Sequence, residues 1–233
     1  MSLKKRIVRG GLALFLLAGG LSAIVYGLPA ARSDAASLGA RWEVTQWREG
    51  RVKMPGAAAW GRVRRQLLEA RDMTPDNAQI YDDLGFIHAY RAQGVAGVPE
   101  LDDLKQALLS QAEAYYRTAV TLRPMFPYSW AHLALTQHYL GQHGPDFWKN
   151  YDAAFAYGKN ESGIQRILGE IAFANWSSLG PERERAMRHL VTHGAPHVKK
   201  ELIALAAAQG IVFETSNAST PSSTTSPNEP RRN

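Results

Sequence analysis

The sequence predicts an all-α protein, in which one membrane-crossing helix precedes a short array of packed helix pairs. Three observations carry this. A 22-residue stretch, from Gly10 to Ala31, holds no charged residue. The text that follows places apolar residues three and four apart between evenly spaced glycines and prolines. No stretch alternates β-branched and polar residues as a half-buried strand requires.

The membrane element comes first. About 20 apolar residues suffice to cross the hydrocarbon of a bilayer, and the glycines of Gly10–Ala31 are tolerated where lipid keeps the backbone hydrogen-bonded. Residues 1–9 form a basic cytoplasmic region containing Lys4, Lys5, Arg6 and Arg9. Positive charge on one flank of a span holds that flank inside. The expected topology is therefore a protein crossing the membrane once, with its N-terminus cytoplasmic and its body outside the cytoplasm. Ser33-Asp34-Ala35 offers the small residues of a cleavage site, but the apolar run exceeds the 7–15-residue core of a signal peptide. An anchor is the better expectation.

Residues 32–40 read as a flexible linker and residues 41–213 as the helical domain. Residues 214–233, almost wholly Ser, Thr, Pro and Asn, read as a disordered tail that lacks the apolar surface to offset ordering. The formal charge of +6 sits largely on the N-terminal cluster, since Arg32 to Phe213 carries 21 basic against 19 acidic residues. A nucleic-acid binder would gather its charge on the folded face that meets phosphate, so no nucleic acid is expected as partner. The absence of cysteine removes disulfides, thiolate metal sites and cysteine nucleophiles together.

An internal repeat organises the domain. Ala70, Pro75, Tyr81, Leu84 and Gly85 recur as Ala119, Pro124, Trp130, Leu133 and Ala134, with every gap between them unchanged. Their order follows the tetratricopeptide pattern, a 34-residue helix–turn–helix. The offset between the two sets exceeds that length, and the excess forms an insertion near residues 93–103. Tyr151, Phe155, Leu168 and Gly169 continue the pattern more loosely. The large aromatic fills the gap between successive pairs, the small residue permits close approach, and the proline ends the second helix.

Nothing in the text reads as catalytic. There is no nucleophile with a local base and no phosphate-cradling loop. Asp82-Asp83 and Asp102-Asp103 are adjacent pairs whose side chains diverge by about 100° on a helix. His189 and His193 share a helix face, but Gly194 and Pro196 should end that helix before His197. The expectation is a protein with no catalytic residue, no metal and no cofactor.

A short helical array is suited to binding. Its first helices line the inner face, where residues opposite the packing stripe are Gln79, Asp82 and Phe86, then Tyr128, Leu135 and His138. The apolar members of this set point to a protein or peptide partner.

The run Pro127-Tyr-Ser-Trp-Ala-His-Leu-Ala-Leu-Thr-Gln-His-Tyr-Leu-Gly141 resembles the central signature of the VpsP-type polysaccharide biosynthesis proteins. The similarity extends back through Leu67–Pro75 and forward through Phe155–Trp176. These are bacterial proteins with an N-terminal membrane segment and tetratricopeptide-like helices. The resemblance implies a non-catalytic scaffold assisting exopolysaccharide biosynthesis, assembly or export, through protein partners of that machinery. The alternative is a periplasmic chaperone or assembly factor for envelope proteins or cytochromes.

Overall fold

In the computed structural model, residues 3–213 are described. The tail expected to be disordered, residues 214–233, and the side chains of the basic cluster lie outside the described residues. The fold is all-helical, with nine α-helices and no strand among the described residues. The chain divides into two compact units, Met1–Ile171 and Ala172–Asn233.

The first unit begins with α1 (Leu3–Arg48), which at about 1.5 Å per residue is roughly 69 Å long. It continues through α2 (Ala57–Met73), α3 (Ala78–Gln93), α4 (Asp102–Leu122), α5 (Pro127–Tyr139) and α6 (Pro145–Gly158), and α7 (Ser162–Ala174) leads out of it. Helices adjacent in sequence pack together from α1 to α6, and α3 also touches α1 and α5. Prolines at the first helical turn start α5 and α6, where their missing N–H is not needed. Asn77 caps α3, its side chain accepting from the Gln79 amide.

The second unit contains α8 (Pro181–His193) and α9 (Pro196–Ala208). The helix break falls between His193 and Pro196, as Gly194 and Pro196 predict, so His197 belongs to the next helix. Phe173, Trp176 and Phe213 pack at centroid distances of 5.7–5.9 Å, with the Arg188 guanidinium over two of the rings.

Residues 32–40 are not a flexible link. They lie inside α1, which runs unbroken from the apolar stretch into the domain. The reason is a buried stripe, Ser33, Ser37, Ala40, Val44 and Trp47, at spacings of four and three. The Ser33 hydroxyl donates to the Ala70 carbonyl at 3.0 Å and lies 2.7 Å from Thr74 Oγ1; Ser37 donates to the Ser33 carbonyl at 2.8 Å. Small residues that read as linker composition are what let α1 lie close on α2. Upstream, α1 is long and apolar enough to cross a membrane, with a mean hydropathy of 1.8 and none of that window buried against the protein.

The core of the first unit joins α1, α2 and α3 through Val44, Trp47, Val63, Leu67, Ile80, Leu84 and Ile87. A second cluster joins α4 and α5 through Ala112, Tyr116, Val120 and Leu133. Local geometry recurs between the two matching sets of residues. The Tyr81 hydroxyl donates to the Pro75 carbonyl at 3.0 Å, and the Trp130 indole donates to the Pro124 carbonyl at 2.7 Å. Thr74 (φ −139°, ψ 76°) and Arg123 (φ −138°, ψ 71°) close α2 and α4 alike, donating to Ala70 and Ala119. Tyr81 and Trp130 are half-buried, so each fills its gap from the edge while its polar tip ties down the preceding turn. Gly85 is the close-approach position: a β-carbon there would lie 2.7 Å from the ring of buried Tyr116. The insertion forms a turn and a short 3₁₀ segment at Pro99–Leu101, and its Val95 is buried with Ala92, Leu108 and Leu109.

Candidate functional site

α3 carries two adjacent carboxylates inside an otherwise apolar run. Asp82 and Asp83 are both buried, at 5% and 2% exposure. Neighbours on a helix diverge, and each finds its own partners. Asp82 is ion-paired to Arg123 and accepts from the Ser129 hydroxyl at 2.6 Å. Asp83 accepts from Arg48 at 3.1 Å and from the Gln79 amide at 3.0 Å, with Arg41 Nε at 3.8 Å. Burial raises the pKa of both carboxyls; hydrogen bonds and the arginines oppose that rise. Arg123 also lies over the Phe126 ring, 3.6 Å from its centroid.

Above this network lies a cleft of about 210 Å³ lined by Arg48, Gln79, Asp82, Phe126, Tyr128 and His132. Its walls come from the end of α1, the start of α3, the turn before α5 and the first two turns of α5. The Arg48 guanidinium also lies 4.7 Å from the Phe86 ring, outside the lining. Tyr128 and His132 face each other one turn apart, with centroids 6.3 Å apart, and His132 also lies 5.5 Å from the Tyr116 ring. Desolvation, with Arg48 and Arg166 nearby, pushes the His132 pKa down to about 4. Desolvation also raises the Tyr128 pKa, with a smaller push from Glu161. At neutral pH the cleft therefore presents an uncharged imidazole and phenol beside the Arg48 guanidinium.

Of the residues the sequence assigns to a groove, Gln79, Asp82 and Tyr128 line this one cleft. Asp82 does so as the buried floor, committed to Arg123 and Ser129, instead of as a free polar flank. Phe86 is half-buried against the core of α1–α3, stacked on Tyr90 at 5.3 Å. Leu135 is half-buried further along α5, outside the cleft lining. His138 lies near the far end of α5, its Nδ1 3.1 Å from His143 Nε2. Arg48, Phe126 and His132 are the lining residues that sequence reasoning misses. His132 had a signal, four residues past Tyr128 on the same helix face. Arg48 had none, because only the packing of α1 brings it there.

No group of three metal-ligating side chains occurs among the described residues. His189 and His193 stack at 4.5 Å on an exposed face of α8.

One buried histidine gives a pH test. His88 bonds the Leu84 carbonyl through Nδ1 at 2.7 Å between Trp60 and Tyr115, and desolvation lowers its pKa to about 4. The unfolded chain, with an ordinary value near 6.5, takes up this proton first. Stability is thus full above about pH 6.5, falls progressively towards pH 4, and is flat below. The shift is worth about 3 kcal/mol. The raised carboxyls act in the opposite sense, so the contribution is isolated by comparison with His88→Gln, which copies Gln137 at the equivalent position of α5. Urea unfolding at pH 7.5 and pH 4.5 should show the parent losing stability relative to the variant. Parallel pH profiles would mean that His88 is charged in the fold.

No protein-family model matches the sequence, and no curated protein matches it at a significant level.

Proposed function

We propose that this chain is a non-catalytic scaffold of the bacterial inner membrane, whose tetratricopeptide-like helix pairs hold a protein partner during assembly or export of a surface polysaccharide. The observation that carries the binding role is the composition of the cleft. Its helical walls are α1, α3 and α5, and none of its lining residues comes from α2, α4 or α6. Alternate helices form the inner face of a helical solenoid, the surface such arrays use for partners. The recurrence of caps and turn-closing hydrogen bonds favours the repeat reading, with α1–α2, α3–α4 and α5–α6 as successive pairs.

The cleft is smaller than the roughly 300–1,000 Å³ of ordinary small-molecule sites. It suits the side chains of a protein partner, with Tyr128 as aromatic anchor and Arg48 as charged contact. The polysaccharide context comes from the resemblance to VpsP-type proteins. Orientation follows the basic cluster at residues 4–9, which favours a cytoplasmic N-terminus and a periplasmic domain. Retention of the anchor is favoured because Ser33-Asp34-Ala35 lies within a packed helix, with Ser33 buried against α2.

Deleting the gene in the producing bacterium should reduce surface polysaccharide, and the wild-type gene should restore it. Unchanged polymer in the deletion, with defects in envelope proteins or cytochromes, would replace this reading with that of an envelope assembly factor.

A further inference from the structure

The outer face of α1, opposite its buried stripe, bears a second apolar pattern that the fold does not use. Leu14, Leu17, Leu21, Ile24, Leu28, Ala31, Ala35, Leu38 and Trp42 follow one another at spacings of three and four without a break. All nine are exposed. Lipid accounts for the first six. It does not account for the last three. From Ala31, the last residue of the uncharged span, to Trp42 is about 16 Å of helix. The polar layer of one leaflet is only about 5–8 Å deep. Leu38 and Trp42, 70% and 63% exposed, therefore stand in water on the face turned away from the core.

We propose that this face is a homodimer seam, in which α1 of one copy pairs in parallel with α1 of a second, from within the bilayer up to Trp42. A seven-residue apolar repeat sustained over nine positions is matched by a helix with the same period. A second copy supplies it in register, because a common anchor fixes both chains at the same depth and in the same direction. Leu38 then meets Leu38, and Trp42 meets Trp42. The positions flanking the seam fit this pairing. In a parallel pair, Asp34 comes opposite Gly39 and Arg41 opposite Gln46, so no like charges meet across it. Gly20, Gly27 and Gly39 fall at flanking positions with open space where a side chain would project, which lets the backbones approach. Pairing at this seam leaves the buried stripe of α1 on α2, so each copy keeps its own cleft.

The inference rests on α1 being retained as an anchor, and its test separates the two claims. The chain has no cysteine, so single-cysteine variants of the full protein have no background. In membranes treated with a mild oxidant, Ala35→Cys, Leu38→Cys and Trp42→Cys should each give disulfide-linked dimers. Ser110→Cys, on the exposed side of α4, should not. The double variant Leu38→Glu, Trp42→Glu, purified in detergent, should halve in mass relative to the parent at an unchanged melting temperature. A parent that resists alkaline extraction from the membrane yet is monomeric, without seam cross-links, overturns the seam and spares the anchor. Seam cysteines that capture a different protein also overturn it. A parent extracted as soluble protein overturns both.

Discussion

Removing residues 1–31 should leave a soluble, cooperatively folding domain, whereas removing residues 1–48 should abolish cooperative unfolding. The two truncations differ by residues 32–48, the part of α1 that packs on α2 and α3. Within it, Val44 and Trp47 are 1% and 4% exposed in the core shared with Leu67, Ile80 and Leu84. Each contributes about 1.5–3 kcal/mol of apolar burial, and the vacated surface of α2 becomes a contiguous apolar patch. The loss also removes Arg41 and Arg48, the two cations beside buried Asp83, and leaves it the hydrogen bond from Gln79. A carboxylate stripped of its cations in a buried site is strongly destabilising. Against a total stability of about 5–15 kcal/mol for an ordinary domain, the sum is decisive. Thermal melts followed by circular dichroism distinguish the cases. Equal cooperative melts for the two truncations would mean that α1 is an appendage, and not part of the core it forms with α2 and α3.

The second large effect centres on Tyr116, which shares with Tyr151 the place of largest fully buried side chain among the described residues. It fills the space between α3, α4 and α5, with Leu133 and Val120 around it and Gly85 beneath. Tyr116→Ala should cost about 3–5 kcal/mol, the range for emptying a buried aromatic site. Gly85→Ala attacks the same contact from the other side. Its new methyl would sit 2.7–2.9 Å from three ring carbons of Tyr116, and overpacking of that kind costs about 1–3 kcal/mol. The combination Gly85→Ala with Tyr116→Leu should recover part of the Gly85→Ala loss, since the shorter side chain relieves the clash. Denaturant midpoints of the parent, the single variants and the combination check this coupling. Additive losses would place the glycine's role elsewhere.

Helices α2–α9 are legible in the sequence because their punctuation is chemical: prolines open α5, α6, α8 and α9, and glycines and prolines separate the rest. What escapes is the stretch at residues 32–40. Ser33, Ser37 and Gly39 look like linker composition, and only the distant carbonyl of Ala70 gives Ser33 its buried partner. The cleft is legible in part for a related reason. Gln79 and Tyr128 follow from helical offset relative to the packing stripe. Asp82 shares that offset, yet it sits at the floor because Arg123 and Ser129 converge on it from the end of α4 and the start of α5. Arg48 arrives from another helix altogether. Offsets within one helix are written in its sequence; the identity of the neighbouring helix is not.

Partner binding at the cleft should be detectable at Tyr128, which lines it. A photo-reactive phenylalanine analogue placed there, in the full-length chain expressed by the producing cell, should yield a covalent adduct on irradiation. Mass spectrometry of the adduct should identify a protein of the surface-polysaccharide machinery. The same analogue at Ser110, on the exposed side of α4, should give no such adduct. Absence of any adduct at position 128 at normal protein level, or the same adducts from both positions, would contradict a partner-binding cleft at this site.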